Sequence, residues 1–220
     1  MKVIIFGATG MIGQGVLAEC LKDDGITEVL AVLRSATGRQ HAKLRELIHR
    51  DFFDYSAIEA DLAGYDACFF CLGVTSVGMK EEDYRRLTYD LTVAAASTLA
   101  RLNPQMTFVF VSGRNADSTE KGSVMWARVK GAAENVVLAL PFKGYVFRPV
   151  AIQPAPGITS KTGWYRAMYA TMGVLLPLMK RLAPGLVTTS EQFGRAMIRV
   201  ARHGAPKRVL ESADINALGA

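Results

Sequence analysis

The sequence is poor in the residues that build metal and redox centres. Three cysteines and three histidines stand among 220 residues. Cys20, Cys68 and Cys71 form an odd set, with no second cysteine pair and no histidine cluster nearby. "CFFC" has CxxC spacing, but it lies inside an apolar run that reads as a strand, where positions 68 and 71 point to opposite faces. Buried, reduced thiols are expected, rather than a zinc site or a disulfide framework. A reduced, cytoplasmic setting fits them. The long uncharged stretch "AMYATMGVLLPLM" from Ala167 to Met179 is broken by Pro177 and is too short to cross a bilayer. The opening "MKVIIFGATG" reaches a glycine too soon for a signal peptide. Long runs of one charge are missing too. A net charge of +6 suits anionic ligands, phosphates included, but it is mild and scattered, which argues against nucleic acid. No repeat, low-complexity tract or Ser/Pro linker interrupts the chain.

Hydrophobic residues make up 50% of the chain, enough for a sizeable core. They are arranged in alternation. "KVIIF" (2–6), "EVLAVL" (28–33), a weaker strand near 46–50, "YDACFFCLG" (65–73), "MTFVFVSG" (106–113) and "KGYVFRP" (143–149) read as strands. Helical stretches separate several of them: "MIGQGVLAECL", 81–102 with Leu87, Leu91, Ala95, Thr98 and Leu102 on one stripe, and 123–140 ending before Pro141. Such alternation predicts an α/β fold with a doubly wound parallel sheet covered on both faces. After Pro149 the pattern changes to a Pro/Gly-rich loop, "IQPAPGITSKTG", then a helix over 164–182. A second helix follows, capped by Thr189 or Ser190, with Phe193, Met197 and Val200 facing inward; "KRVLES" reads as a last short strand. The expectation is one domain over 1–220, with a core of about 1–150 and a small C-terminal lobe over about 151–220.

"FGATGMIGQG" follows the first strand and opens the first helix. Gly7 permits the sharp turn, Gly10 lets a pyrophosphate approach the backbone, and Gly13 lets the helix pack on the strand. The helix N-terminus then offers unpaired N–H groups to the phosphates. Thr9, Met11 and Ile12 share this turn and are assigned to the cofactor with the glycines. The second strand runs into Arg34 and Ser35, where a cofactor with a free ribose 2′-hydroxyl calls for Asp or Glu. A guanidinium there suits a 2′-phosphate, with Arg39 close by, so NADP(H) is favoured over NAD(H).

The segments "GATGMIG", "RDFFDYSAI", "GYDACFFCLGVT", "VSGRNAD", "WARVKGAAE" and "YVFRPV", in this order between residues 3 and about 150, resemble the atypical short-chain dehydrogenase/reductases of the NAD(P)-binding oxidoreductase-like kind. The resemblance implies a Rossmann-type sheet. It implies Asp51 and Phe52 around the adenine, Leu72, Gly73 and Val74 along the adenosine side, and Pro149, Val150 and Ile152 near the nicotinamide. It also implies chemistry by Ser, Tyr and Lys, with the Tyr four residues before the Lys. Ser112 and Lys130 match two of the three, but the Tyr position holds Trp126. An indole N–H donates a hydrogen bond yet does not shuttle a proton near neutral pH. Read by itself, the Trp126/Lys130 pair is also what a core tryptophan with a rim lysine looks like.

Three outcomes stay open. Another group, Tyr165, Tyr169 or Ser123, supplies the proton; water and hydride transfer suffice; or the site binds NADPH without turnover. The sequence therefore supports an NADP(H)-dependent oxidoreductase of a small apolar carbonyl substrate, or a non-catalytic NADPH-binding regulator that answers to a protein partner. A sugar-nucleotide epimerase or dehydratase is weaker, because only some seventy residues remain for a substrate lobe.

Overall fold

A computed structural model gives the structure of residues 1–155 and 185–220. The helix expected over 164–182, with Trp164, Tyr165 and Tyr169, lies outside these described residues. Seven strands form one parallel sheet in the order β3-β2-β1-β4-β5-β6-β9. They are β1 (Lys2–Phe6), β2 (Glu28–Leu33), β3 (Leu44–Ile48), β4 (Ala67–Phe70), β5 (Thr107–Val111), β6 (Lys143–Arg148) and β9 (Val209–Glu211). The apolar runs are continuous rather than alternating because both faces are covered. Val3 to Phe6 of β1 are fully buried, as are Phe108, Val109 and Phe110 of β5. On one face lie α1 (Met11–Lys22) and α6 (Ser190–His203), sealing a core with Val16, Phe193 and Met197. On the other lie α4 (Leu91–Leu102) and α5 (Met125–Ala139), over Phe70, Phe108 and Phe110. This is the expected doubly wound α/β architecture of Rossmann type.

The C-terminal segment enters the same body. "KRVLES" does give a strand, and β9 pairs in parallel with β6. Thr189, not Ser190, caps α6: its hydroxyl accepts from Gln192 N while the Gln192 side chain accepts from Thr189 N, a reciprocal capping box. Phe193, Met197 and Val200 face inward as expected. A short helix, α7 (Ser212–Leu218), closes the chain.

Three local readings are corrected. The third strand runs over Leu44–Ile48, two residues earlier than expected, since its register follows β2 from Val29↔Leu44 to Leu33↔Ile48 and stops where β2 stops. Asp51 Oδ1 then accepts from Phe53 N at 2.9 Å and turns the chain. The helix over 81–102 is not uniform: α3 (Glu81–Arg85) passes through a π-helical turn, Arg86–Asp90, into α4. The wider turn shifts the helical phase. Tyr84, Thr88, Thr92, Ala95, Ala96, Leu99 and Ala100 are buried, while Leu87 of the expected stripe points outward. Finally, the loop after Pro149 begins as β7 (Ala151–Gln153), which pairs with β8 (Val187–Thr189) in a separate two-stranded sheet. A short helix, α2 (Glu59–Leu62), precedes β4.

Candidate functional site

All seven strands of the main sheet point one way, so their carboxyl ends line a single edge. The chain leaves β1 toward β2 and β3, then returns to β4 on the other side of β1. The crevice between β1 and β4 is therefore the topological switch point, where ligands of open parallel sheets bind.

At the β1 end, Gly7 has φ +76°, and a Cβ there would stand 2.7 Å from the Cys71 carbonyl oxygen of the neighbouring strand's exit. Only glycine fits both demands. Gly10 N donates to Gly7 O at 2.9 Å and closes the turn. A Cβ on Gly13 would lie 2.1 Å from Gly7 O, so the helix seats directly on the turn. Gly10 is the N-cap of α1 and supplies no side-chain cap, and the first turn carries no acidic residue. Its N–H groups, at Met11 and Ile12, form an uncompensated positive end suited to phosphate. Thr9 is tied in by its carbonyl, which accepts from Gln14 Nε2 at 3.0 Å.

Beyond β2, Arg34 and Ser35 are exposed. Neither Arg34 nor Arg39 makes an ion pair among the described residues. A cavity of about 230 Å³ opens here between Thr9, Gln14, Leu33, Thr37, Arg39 and Glu46. Asp51 is exposed at its turn, whereas Phe52 is buried edge-on to Phe6 and Tyr55. Leu72 packs on the core, and Gly73 and Val74 are exposed. A Cβ on Gly73 would meet nothing within 4 Å among the described residues.

The other half of the edge is built by β5, α5 and β6. Ser112 N donates to Phe147 O at 2.8 Å, fixing the exit of β5. Its hydroxyl is buried and has no hydrogen-bond partner among the described residues. The adjacent Val111 carbonyl accepts from Lys130 Nζ at 3.1 Å, and the ammonium stands 5.1 Å from the Phe110 ring centroid. Burial lowers the Lys130 ammonium to about 8, against the pull of Glu134. One turn earlier, the Trp126 ring reaches Gly113: a Cβ there would lie 3.9 Å from it. Trp126 and Lys130 thus face the end of β5 together. Glu134, one turn after Lys130, is fully buried and ion-paired to Arg148, whose Nε lies 3.0 and 3.2 Å from its two oxygens. Pro149 O accepts from Arg114 N at 3.1 Å, and Val150 N donates to Ser212 Oγ at 2.8 Å. Val150 is exposed at the edge, while Ile152 is drawn into β7 with its side chain in the core.

The expected residues thus gather along one edge, with the side chains of Phe52 and Ile152 turned into the core. Sequence reasoning missed Thr88, whose buried hydroxyl lacks a partner among the described residues and which sits on the π turn packed against α5. It also missed Glu134–Arg148 and Glu46. The first two need the phase of the π turn and the fit of α5 on β6 to be known; Glu46 needs the β2–β3 register. The thiols of Cys20, Cys68 and Cys71 are free, and burial pushes all three up. Among the described residues no three potential ligands converge on a metal position, and no helix is long and apolar enough to cross a membrane.

A family profile described as NAD(P)H-binding matches residues 7–145. The protein FMP52, mitochondrial, of Chaetomium globosum is 24% identical over 229 residues, covering 98% of this chain and 96% of the relative. The protein fmp52-2, mitochondrial, of Aspergillus oryzae is 26% identical over 227 residues, covering 98% and 95%. Among solved structures, the Bordetella bronchiseptica enzyme WbmF in complex with NAD+ superposes with a TM-score of 0.68 at 15% identity, over 98% of this chain and 76% of that one. The UDP-glucuronic acid 4-epimerase from Bacillus cereus gives 0.66 at 14% identity, over 96% and 77%. These structures share the fold. The relatives' names overturn the cytoplasmic setting expected from the sequence. Buried thiols stay reduced through lack of access, so they carry no information about compartment. The glycine turn at the switch point, the parallel sheet and the matched span together make this chain a member of the NAD(P)H-binding family.

Proposed function

We propose that the protein is an NADP(H)-dependent oxidoreductase of a small, mostly apolar carbonyl compound, acting as one domain. The observation that carries this reading is the Ser112 hydroxyl, buried without a partner among the described residues at the end of β5. An unpaired buried hydroxyl costs about 1–3 kcal/mol, so a ligand that completes it is the economical explanation. The residues fit the cofactor. The uncapped start of α1, with Gly7, Thr9, Gly10, Met11 and Ile12, would hold the pyrophosphate. Arg34 and Ser35, unencumbered beyond β2, would hold a 2′-phosphate. Asp51 with Phe52, and Leu72 to Val74, would border the adenosine; Lys130 and the Pro149–Ile152 segment would border the nicotinamide ribose and ring.

When bound, the nicotinamide supplies or accepts a hydride. Ser112 donates a hydrogen bond to the substrate carbonyl oxygen and orients it. Lys130, lowered by burial to about 8, carries an exchangeable proton near neutrality and replaces the tyrosine that Trp126 displaces. Trp126 contributes an apolar wall and an indole donor. The second reading, a non-catalytic NADPH-binding regulator with a protein partner, is favoured by Trp126 alone.

The test is NADPH consumption with a panel of small aldehydes, ketones and quinones, run beside calorimetric binding of NADPH. Consumption that Ser112→Ala abolishes supports the oxidoreductase. Tight binding with no consumption transfers the case to the regulator, and absence of binding removes both.

A further inference from the structure

We infer that Glu46 determines cofactor specificity: clamped on Thr37, it holds the 34–40 loop so that Arg39 lines the cavity for the ribose 2′-phosphate. The inference rests on the NADP(H) reading above. Glu46 does not occupy the usual acidic position after β2. It sits on β3, opposite Ala31, and reaches the loop across the sheet edge. Glu46 Oε2 accepts from Thr37 N at 3.0 Å, and Oε1 accepts from the Thr37 hydroxyl. Thr37 Oγ1 in turn accepts from Arg39 N at 3.1 Å. One chain of hydrogen bonds therefore runs from a strand residue, through Thr37, to the backbone of Arg39.

The same three residues line the 230 Å³ cavity together with Thr9 of the phosphate turn and Gln14 of α1. The cavity is several times the ~30 Å³ share of a water molecule, so it has room for a phosphate. The amide of Gln14 is already engaged by Thr9 O. The carboxylate in the wall would ordinarily repel a phosphate or accept from a ribose 2′-hydroxyl. Here both of its oxygens are taken by Thr37, and it pairs with neither arginine. Arg39 in the lining keeps its guanidinium unpaired among the described residues, as does Arg34 at the exit of β2. This arrangement suits a doubly charged ester more than a neutral hydroxyl.

The reading opposes two alternatives that also use Glu46, as direct acceptor of a 2′-hydroxyl or as a repelling charge. Calorimetric titration of wild type, Glu46→Ala, Thr37→Val and the double variant with NADPH and with NADH separates them. Each single change should weaken NADPH roughly tenfold, with NADH moved by less than about twofold. The double variant should be no worse than either single, because both break one clamp. Tighter NADPH binding by Glu46→Ala would make the carboxylate a repelling charge and overturn the inference. Weaker NADH binding by Glu46→Ala would make it a 2′-hydroxyl acceptor, with the same consequence. An inert Thr37→Val would dissolve the clamp. Equal affinity of the wild type for both cofactors is a separate result: it removes the NADP(H) reading itself, and the inference with it.

Discussion

The two halves of the carboxyl edge are built on different principles. At the β1–β2 half the work is done by backbone. Gly7 and Gly13 are packed so closely that a single added carbon would collide with Cys71 O or Gly7 O, and the start of α1 is left bare for an anion. At the β5–β6 half the work is done by side chains in an unusual state. A hydroxyl lacks a partner among the described residues, an ammonium is desolvated, and a carboxylate is fully buried against an arginine. A binding site of backbone dipoles tolerates little change but needs no titrating group. A reactive site keeps groups whose cost falls when a ligand arrives.

The largest expected effect breaks the backbone half. Gly13→Val places a branched side chain where Gly7 O lies 2.1 Å from a Cβ. Denaturant unfolding should show a loss of about 3 kcal/mol or more, with NADPH binding gone. Gly73→Ala is its control, because nothing among the described residues stands within 4 Å of the added carbon. It should leave stability within about 0.5 kcal/mol and still weaken NADPH binding, since that side is where the cofactor would lie.

Next in size is Lys130. Its loss should weaken NADPH binding roughly tenfold or more, as expected for a charge-assisted hydrogen bond. A pH series sharpens the contrast with the backbone half. The folded ammonium titrates near about 8, below its ordinary value, so above about 8 the unfolded chain binds more protons than the folded one. Stability contributed at this site should therefore rise with pH from about 8 toward the ordinary lysine range, and Lys130→Met should erase that rise. Carbonyl reduction, which draws on the protonated form, should fall above about pH 8. A reduction rate flat through that range would remove Lys130 as proton donor.

Smaller is Arg34→Ala, which should cut the NADPH preference by about tenfold and leave NADH untouched, read by calorimetry. Smallest is Trp126→Tyr, which restores Tyr-x-x-x-Lys beside an already desolvated lysine. Turnover should rise with cofactor affinity unchanged; a fall would show that the indole itself is required.

Much of the backbone half was legible in the sequence, because glycine spacing after an apolar strand reports geometry directly. The strand and helix alternation was equally readable, down to a cap at Thr189 or Ser190, between which the capping box decides. The π turn was not, since one extra residue per turn leaves no compositional mark, and it rotated the buried face from Leu87 to Thr88. Glu46 was hidden because its role depends on which β2 residue it stands opposite. Ser112 and Lys130 were placed by resemblance, while the missing hydrogen bond of one and the desolvation of the other come from packing. Phe52 shows the reverse: the resemblance placed it at the adenine, the residue type suited the core equally, and packing against Phe6 and Tyr55 puts it in the core.

The central claim is that one cofactor spans both halves, and a crystal structure of the protein with NADPH tests it most directly. The account predicts pyrophosphate oxygens on the N–H groups of the first turn of α1, the 2′-phosphate between Arg34 and Arg39, and Lys130 Nζ within about 3 Å of the nicotinamide ribose. The space over nicotinamide C4 should open onto the Ser112 hydroxyl. A nicotinamide directed away from β5, with Ser112 and Lys130 still buried and untouched, would contradict it.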